Sequence, residues 1–178
     1  MQQIHTLFLD RDGVINKENE GDYIKTVEAF EFLPGVVRAI ADASKIYDYV
    51  IVVTNQRGIG RNLMTEQDLE NIHKHMLYEI TKAGGRIDKI YYAPSPDKKH
   101  PYRKPNPGMA FAAQQDFPNI DFEHAEMVGN NISDMCFGKA VGMRTIFLHT
   151  TQEAQSLPHD WIDEQYDSLA SFIATKKK

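Results

Sequence analysis

The feature of this sequence that most constrains its fold is an alternation of short apolar runs with longer amphipathic segments. The run Tyr49–Val53 is apolar and mostly β-branched, which is the pattern of a strand buried on both faces of a parallel sheet. The segment after Thr65 keeps its apolar residues at helical spacing as far as Gly84. Strands that alternate with helices predict an α/β fold with a doubly wound, mostly parallel sheet. Five strands are predicted, over residues 4–9, 49–53, 87–92, 125–128 and 144–148.

Four helices are predicted between these strands. One begins after Gly35, a second follows the capping-box pattern at Thr65, and a third begins near Gly108. The fourth runs to Ala140, with Ser133 as its expected cap.

Composition restricts the classes of function. The 178 residues fit one core, and we expect residues 1–178 to form a single domain because neither a repeat nor a long linker divides them. No apolar run approaches the roughly 20 residues of a membrane-spanning helix, so we expect no membrane partner. The sequence shows no signal-peptide pattern, which favours a cytoplasmic location. The formal net charge of −5 argues against nucleic acid as a partner, because nucleic-acid binding requires a basic surface.

Polar side chains follow three of the predicted strands at the point where each strand ends. In doubly wound sheets, ligands bind beyond the carboxyl ends of the strands. We therefore expect these clusters to converge at one rim of the sheet. They are Asp10 and Asp12 after the first strand, Thr54 and Asn55 after the second, and Asn130, Asn131 and Asp134 after the fourth.

Asp10 and Asp12 form the most informative cluster. Two carboxylates at i and i+2 after a buried strand lie on the same side, and their like charges require a cation. Mg²⁺ is the natural one, because it binds one or two carboxylates together with phosphate oxygens and water. In such a pair one carboxylate can attack phosphorus, while the other protonates the leaving oxygen and later activates water. Asp and Gly are also common in turns, so the Asp-x-Asp-Gly pattern alone fits a structural turn as well.

Basic residues in two loops predict an anion-binding site at the same rim. Lys104 is placed as a fixed cation for a phosphoryl group, and Thr54 with the following backbone amides can hold a phosphoryl oxygen. Three arginines, Arg57, Arg61 and Arg103, would then clamp a second anionic group of the substrate. Each of these basic residues taken singly is also typical of a solvated surface loop.

The order of these motifs resembles the haloacid dehalogenase superfamily of phosphohydrolases. Residues 8–16, 52–65 and 103–109 are similar to the D,D-heptose 1,7-bisphosphate phosphatases and the related histidinol-phosphatases. The similarity extends over most of residues 5–150. The four motifs are Asp10-Arg11-Asp12-Gly13-Val14, Thr54-Asn55-Gln56, Lys104-Pro105 and Gly129-x-x-x-x-Asp134.

The resemblance implies a mechanism and a set of ligands. Asp10 would be the nucleophile that forms an aspartyl-phosphate, and Asp12 would be the general acid and base. Thr54 and Lys104 would hold the phosphoryl group, with Asn55 beside them. Mg²⁺ would be bound by Asp10, by the Asp12 backbone carbonyl, and by Asn130 and Asp134 of the fourth motif. The family further implies a Rossmann-like core without a large cap domain, and a small phosphate ester as substrate.

Two departures from the family pattern bear on the metals. The fourth motif usually opens Gly-Asp, whereas this chain has Asn130 after Gly129, so one carboxylate expected at Mg²⁺ is replaced by an amide. Heptose bisphosphatases also commonly carry a Cys/His zinc loop before the Lys motif. Here Ala93 and Ser95 stand at positions where Cys and His would be expected, and the single cysteine of the chain is Cys136. We therefore expect no structural zinc.

Several functions remain open from the sequence. A heptose bisphosphate is the leading substrate, and histidinol phosphate is an alternative within the same chemistry. A receiver-like binding module would also combine acidic residues, Thr and Lys on a doubly wound sheet, but it would accept phosphate after the third strand rather than the first. A catalytically weak relative that only binds a phosphate ester is a third possibility, because of Asn130. The sequence does not predict an oligomeric state.

Overall fold

The structure is a computed structural model that describes residues 3–177, and its centre is a single six-stranded sheet. The order across the sheet is third, second, first, fourth, fifth and sixth strand, and every neighbouring pair is parallel. The strands are β1 (Thr6–Leu9), β2 (Tyr49–Asn55), β3 (Lys89–Ala93), β4 (Ala125–Gly129), β5 (Arg144–Leu148) and β6 (Glu164–Tyr166).

Helices cover both faces of this sheet. Alternate residues of β1 show the division, because Leu7 and Leu9 pack in one apolar core while Phe8 packs in another. The first core includes residues of the first, third and sixth helices, and the second includes residues of the fourth and fifth. The helices are α1 (Val36–Ile46), α2 (Arg57–Gly60), α3 (Glu66–Lys82), α4 (Gly108–Asp116), α5 (Ile132–Ala140) and α6 (Leu169–Ala174), with a 3-10 turn at Phe122–His124.

The position of β1 determines where a ligand can bind. The chain runs from β1 to β2 and β3 in one direction across the sheet, and then returns to place β4 on the other side of β1. Leu9 consequently pairs with Val52 of β2 and with Val128 of β4. A crevice opens beyond the carboxyl ends of the strands where the order reverses in this way.

The predicted fold class is confirmed, and the five predicted strands lie within a few residues of their observed bounds. Besides the 3-10 turn, three elements were not predicted, namely α2, β6 and α6. The expected cap of α5 is wrong, because the helix begins at Ile132 with Asn131 as its cap, and Ser133 lies inside it. Within residues 3–177, no helix has the length and apolar character needed to cross a membrane.

Candidate active site

The carboxyl ends of β1, β2 and β4 open into one cavity of about 560 Å³. This size is within the range of small-molecule sites. Three of the predicted site residues, Thr54, Arg61 and Asn130, are not among the residues that line it. The predicted residues that do line the cavity are Asp10, Asp12, Asn55, Arg57, Arg103, Lys104 and Asp134.

Lys104 is the centre of a buried ionic network on the floor of this cavity. Its Nζ lies 2.9 Å from Asp10 Oδ1 and 2.7 Å from Asp134 Oδ1, and it donates to the Val53 carbonyl at 2.7 Å. The Lys104 side chain is 2% exposed, so it is not a solvated loop lysine. Asp10 Oδ1 is therefore held by Lys104, whereas no donor in the described part of the chain contacts its Oδ2.

Two carboxylates thus share one ammonium group, and the pKa of Asp10 reflects this. Burial and the neighbouring Asp134 charge raise the pKa of Asp10 to about 7, although Lys104 opposes the shift. Burial alone would lower the pKa of Lys104, but Asp10 and Asp134 outweigh it and the pKa is raised. The cluster has a net negative charge when both carboxylates are ionised, which favours an additional cation beside Asp10.

Asp12 lies next to this network and is held differently. Its Oδ1 accepts from Arg11 Nη2 at 2.8 Å, Arg11 Nε at 3.3 Å and Asn16 Nδ2 at 2.9 Å. Its Oδ2 accepts one hydrogen bond among the described residues, from Gln56 Nε2 at 2.9 Å. Burial raises the pKa of Asp12, but Arg11 and these amide donors lower it below its ordinary value overall. Oδ2 is therefore the oxygen of Asp12 with acceptor capacity left for chemistry.

Arg11 and His73 complete the surroundings of Asp12, and sequence reasoning assigned a role to neither. Arg11 is completely buried, and its guanidinium lies 5.9 Å from the centre of the Phe30 ring. Arg11 Nη1 lies 3.2 Å from His73 Nε2 on α3. Burial and the Arg11 charge lower the pKa of His73 to about 3, so this imidazole is neutral.

The residues that end β2 support the neighbouring groups. Thr54 is fully buried, and its Oγ1 accepts from Gln56 Nε2 at 2.9 Å. Asn55 pairs with the backbone of Lys104, accepting from its amide at 3.0 Å and donating to its carbonyl at 3.2 Å. Gln56 thus links Thr54 with Asp12, and Asn55 fixes the loop that delivers Lys104. Gln56 belongs to the second sequence motif, but the spacing of that motif did not predict that its side chain would link Thr54 with Asp12.

The turn after β4 is organised by Asp134. Its Oδ2 accepts from the backbone amides of Asn130 and Asn131, both at 3.1 Å. The Asn130 side chain is buried and donates to Glu18 Oε2 at 3.1 Å and to Thr151 Oγ1 at 2.8 Å. Both oxygens of Asp134 therefore already have partners, and Asn130 contacts a carboxylate that sequence reasoning did not single out.

Gly13 is required beside Asn130. Its φ is +83°, in the left-handed region that favours glycine, and a Cβ at this position would lie 2.0 Å from Asn130 Nδ2. Any side chain at residue 13 would displace the first motif from the fourth.

The outer part of the cavity is lined by charged side chains of both signs. Arg57 and Arg103 line it as predicted, and Lys98 is a third cation that was not predicted. Arg103 Nη1 also donates to the Pro96 carbonyl. Glu18 and Asp22 provide the acidic side chains of the same lining.

The loop that carries Lys98 and Lys104 is held by peptide hydrogen bonds. Asn106 Nδ2 donates to the carbonyls of Lys98 and His100, both at 2.9 Å. His100 Nδ1 accepts from the Tyr102 amide at 3.2 Å. His100 is therefore engaged locally, and Asn106 joins two points of the loop.

Comparison with known proteins agrees with this geometry. The HAD-hydrolase-like family model matches residues 101–171. A D-glycero-beta-D-manno-heptose-1,7-bisphosphate 7-phosphatase from Salmonella typhi is 33% identical over 194 residues, with 99% of each chain covered. A D-glycero-alpha-D-manno-heptose-1,7-bisphosphate 7-phosphatase from Burkholderia mallei is 38% identical over 161 residues, which cover 83% of this chain and 81% of the relative.

A solved structure extends the comparison to three dimensions. The D,D-heptose 1,7-bisphosphate phosphatase from B. bronchiseptica, complexed with magnesium and phosphate, aligns with a TM-score of 0.87 at 27% identity, and 97% of each chain is covered. Together with the identity over nearly the whole of the Salmonella typhi relative, this shows that the chain belongs to the heptose 1,7-bisphosphate phosphatase family of the haloacid dehalogenase superfamily, whose members are phosphoric monoester hydrolases.

Proposed function

We propose that this protein is a Mg²⁺-dependent phosphatase that acts on a heptose 1,7-bisphosphate through an aspartyl-phosphate on Asp10. The observation that carries the proposal is the pairing of two differently held carboxylates at one cavity. Asp10 accepts from Lys104 on Oδ1, and among residues 3–177 no donor contacts its Oδ2, while Asp12 keeps Oδ2 for proton transfer. A nucleophile and an acid–base group in adjacent positions are what phosphoryl transfer in two steps requires.

In the first step Asp10 Oδ2 attacks phosphorus, and the bond between phosphorus and the sugar oxygen breaks. The departing oxygen takes a proton from Asp12 Oδ2, so that the sugar leaves as an alcohol. In the second step Asp12 takes a proton from water as that water attacks phosphorus. The bond between phosphorus and Asp10 then breaks, and inorganic phosphate is released with Asp10 regenerated.

The surroundings of the two carboxyl groups shift their pKa values away from the protonation states that the first step requires. The pKa of Asp10 is raised to about 7, although a nucleophile must be ionised, and the pKa of Asp12 is lowered, although an acid must be protonated. A cation beside Asp10 stabilises its carboxylate, and an anionic phosphoryl group near Asp12 favours its protonated form. Binding of metal and substrate would therefore prepare both residues together.

The donor set fits Mg²⁺ as long as uncharged oxygens contribute. Within residues 3–177, no three His, Cys, Asp or Glu side chains are arranged to hold an ion by themselves. Asp10 would supply one carboxylate, and the Asp12 backbone carbonyl and the Asn130 amide oxygen would supply further hard ligands. Asp134 would contribute mainly by holding Lys104 and the Asn130 turn. When bound, Mg²⁺ would neutralise charge on the transferring phosphoryl group.

The cations of the outer cavity favour a bisphosphate. Lys104 is committed to the buried network, so Arg57, Lys98 and Arg103 remain to bind a second anionic group. The acidic lining residues, Glu18 and Asp22, favour a second candidate. Their carboxylates are suited to the ammonium group of histidinol phosphate, which therefore remains the alternative substrate.

Phosphate release from a small set of esters tests the proposal. The set contains both anomers of heptose 1,7-bisphosphate, because relatives act on alpha and beta forms, and it includes heptose 7-phosphate and histidinol phosphate. We expect Mg²⁺-dependent release that is fastest with one bisphosphate anomer and is abolished by EDTA. Faster phosphate release from histidinol phosphate would make that ester the substrate in place of a heptose bisphosphate. An absence of turnover with every ester would leave only a phosphate-binding role.

A further inference from the structure

Asp12 needs a fixed orientation if one of its oxygens is to exchange a proton with the leaving group. Asp12 accepts four hydrogen bonds from the described residues, of which three end on Oδ1, and two of these three come from Arg11. The guanidinium therefore determines which oxygen of Asp12 remains for chemistry. Rotation of Arg11 by one rotamer would remove two of the three hydrogen bonds to Oδ1 and leave one amide donor on each oxygen, from Asn16 and Gln56.

The guanidinium is itself held from the far side. Arg11 is completely buried, and the acceptor of its Nη1 within residues 3–177 is His73 Nε2 at 3.2 Å. His73 is also buried, on a helix that packs against the same apolar core as Leu9. Because Arg11 has no acceptor capacity, Nε2 must be the unprotonated nitrogen, which places the proton on Nδ1.

We infer that His73 is a positioning residue for the acid–base step: by accepting a hydrogen bond from Arg11, it fixes the guanidinium that orients Asp12. The inference rests on the proposed role of Asp12 as general acid. His73 does not line the cavity and has no contact with substrate in this scheme. Its effect on the reaction passes through Arg11, and it follows that the acceptor atom at the position of Nε2 matters rather than the ring.

Two amide substitutions separate this role from general packing. In His73→Gln the side-chain carbonyl reaches the position of Nε2, whereas in His73→Asn it reaches only the position of Nδ1. Both variants have polar side chains that are similar in size to histidine or smaller. His75→Asn is the matched control, because His75 lies on the same helix and packs near Phe30 and Phe32 without contacting Arg11.

Steady-state kinetics together with first-turnover kinetics on two leaving groups provides the readout. Each protein is assayed on the preferred sugar phosphate, whose alkoxide needs a proton, and on p-nitrophenyl phosphate, whose leaving group does not. We expect His73→Asn to lower kcat on the sugar phosphate roughly tenfold, a part of the ~10² to 10⁴ that acid–base catalysis contributes, with little change in KM. We expect His73→Gln and His75→Asn to stay within about threefold of wild type. With p-nitrophenyl phosphate, release of p-nitrophenolate in the first turnover needs no proton from Asp12, so the rate of that step should change little in any variant.

The outcomes distinguish this inference from the proposed function. Equal kcat values for His73→Asn and His73→Gln on the sugar phosphate, or an equal loss in the first-turnover rate on both leaving groups, would overturn the positioning role while leaving the phosphatase intact. If His73→Asn does not fold, retention of wild-type kcat by His73→Gln still supports the role, and a loss in that variant overturns it. Failure of the wild-type protein to hydrolyse either ester would overturn the proposed function and the inference together.

Discussion

The floor and the rim of the cavity are built in different ways. The floor, which we define as Asp10, Asp12, Lys104 and Asp134, is a set of side chains with specific buried partners. The rim, which we define as Arg57, Lys98, Arg103 and Glu18, is more exposed and has fewer contacts. Within residues 3–177, for example, neither Arg57 nor Lys98 forms an ion pair, whereas Lys104 forms two.

We expect this difference to separate the residues that act in the chemical step from the residues that select the substrate. Groups that stabilise a transition state act best when they are already oriented, because no reorganisation is then needed during the reaction. Long basic side chains at a rim can instead adapt to a substrate that arrives with its own shape and charge. Substitutions in the floor should consequently reduce turnover of every substrate, and substitutions in the rim should change the preference among substrates.

The largest effect is expected from Asp10→Asn. An amide cannot attack phosphorus as a carboxylate does, so turnover and phosphoenzyme formation should both be abolished. The measurements are phosphate release and acid-quenched trapping of labelled enzyme, on a bisphosphate and on a monophosphate. Near-normal turnover of either substrate would remove Asp10 from the floor as its nucleophile.

Asp12→Asn should give the next largest effect. The variant keeps the shape of the side chain but cannot transfer a proton, so kcat should fall by about 10² to 10⁴ for all sugar phosphates while substrate binding is largely kept. A second consequence follows from the burial of Arg11, which loses its charged partner. We expect the melting temperature to fall as well, because an unpaired buried charge is destabilising. Wild-type kcat with a lower melting temperature would give Asp12 a structural role only.

The stability of the metal-free protein gives a third test of the floor. The pKa of Asp10 is about 7 when folded, against an ordinary value of 3.8, so the folded state favours the protonated form. Stability associated with this group is fully present below pH 3.8 and is lost as the pH rises through 7. Asp10→Asn does not titrate, and its stability advantage in EDTA should therefore grow between pH 4 and pH 7.

The stability advantage of Asp10→Asn should change with pH by at most about 4 kcal/mol, because the pKa of Asp10 is raised by about three units on folding. Stability from Asp12, whose pKa is lowered, is lost as the pH falls, but it is common to both proteins and cancels in the difference. Denaturant unfolding at several pH values measures the advantage, and a difference that does not vary with pH would mean that Asp10 is not destabilised by its surroundings.

The convergence of the proposed catalytic residues could be predicted from the sequence because these residues lie near strand ends. Asp10 directly follows β1, Asp12 lies two residues further on, and Thr54 is the last residue but one of β2. A parallel sheet brings such positions together whatever the loops do. The contact between Arg11 and His73 spans 62 residues and has no local pattern. Lys98 was missed because the path of its loop depends on Asn106, and β6 was missed because its three residues, Glu164–Tyr166, lack an apolar pattern.

Substitutions in the rim should act on selectivity. Arg103→Gln and Arg57→Gln should lower kcat/KM for a bisphosphate roughly 10- to 100-fold more than for the monophosphate of the same sugar, since a hydrogen bond to a charged group contributes about 1.5 to 3 kcal/mol. Lys104→Ala should reduce both values, because Lys104 belongs to the floor. Arg61→Gln is the comparison variant, because Arg61 was predicted for the clamp but does not line the cavity.

The two substrates together decide whether the rim is a clamp. A selective loss with Arg61→Gln as large as that with Arg103→Gln would keep Arg61 in the clamp. Equal losses on bisphosphate and monophosphate with the cavity-lining arginines would remove the distinction between floor and rim, and would favour a monophosphate substrate such as histidinol phosphate.

The smallest effect is expected where floor and rim meet, at Asn130. Its Nδ2 donates to Glu18 Oε2, so Asn130→Asp would place two carboxylates about 3 Å apart. The metal-free variant should therefore melt at a lower temperature than wild type. With Mg²⁺ the new carboxylate becomes a charged ligand, and we expect the dissociation constant for Mg²⁺ to fall about tenfold, or about 1.4 kcal/mol.

Metal titration by calorimetry, together with melting in EDTA and in Mg²⁺, separates this effect from a general change of charge. Asn131→Asp is the matched control, because it adds the same charge one residue away, at a side chain that does line the cavity. Tighter Mg²⁺ binding in Asn130→Asp, but not in Asn131→Asp, would place residue 130 at the metal. Mg²⁺ should then also raise the melting temperature of Asn130→Asp more, because a ligand that binds only the folded state stabilises that state. An unchanged dissociation constant would mean that Asn130 serves Glu18 and Thr151 instead, which would make this position part of the rim rather than the floor.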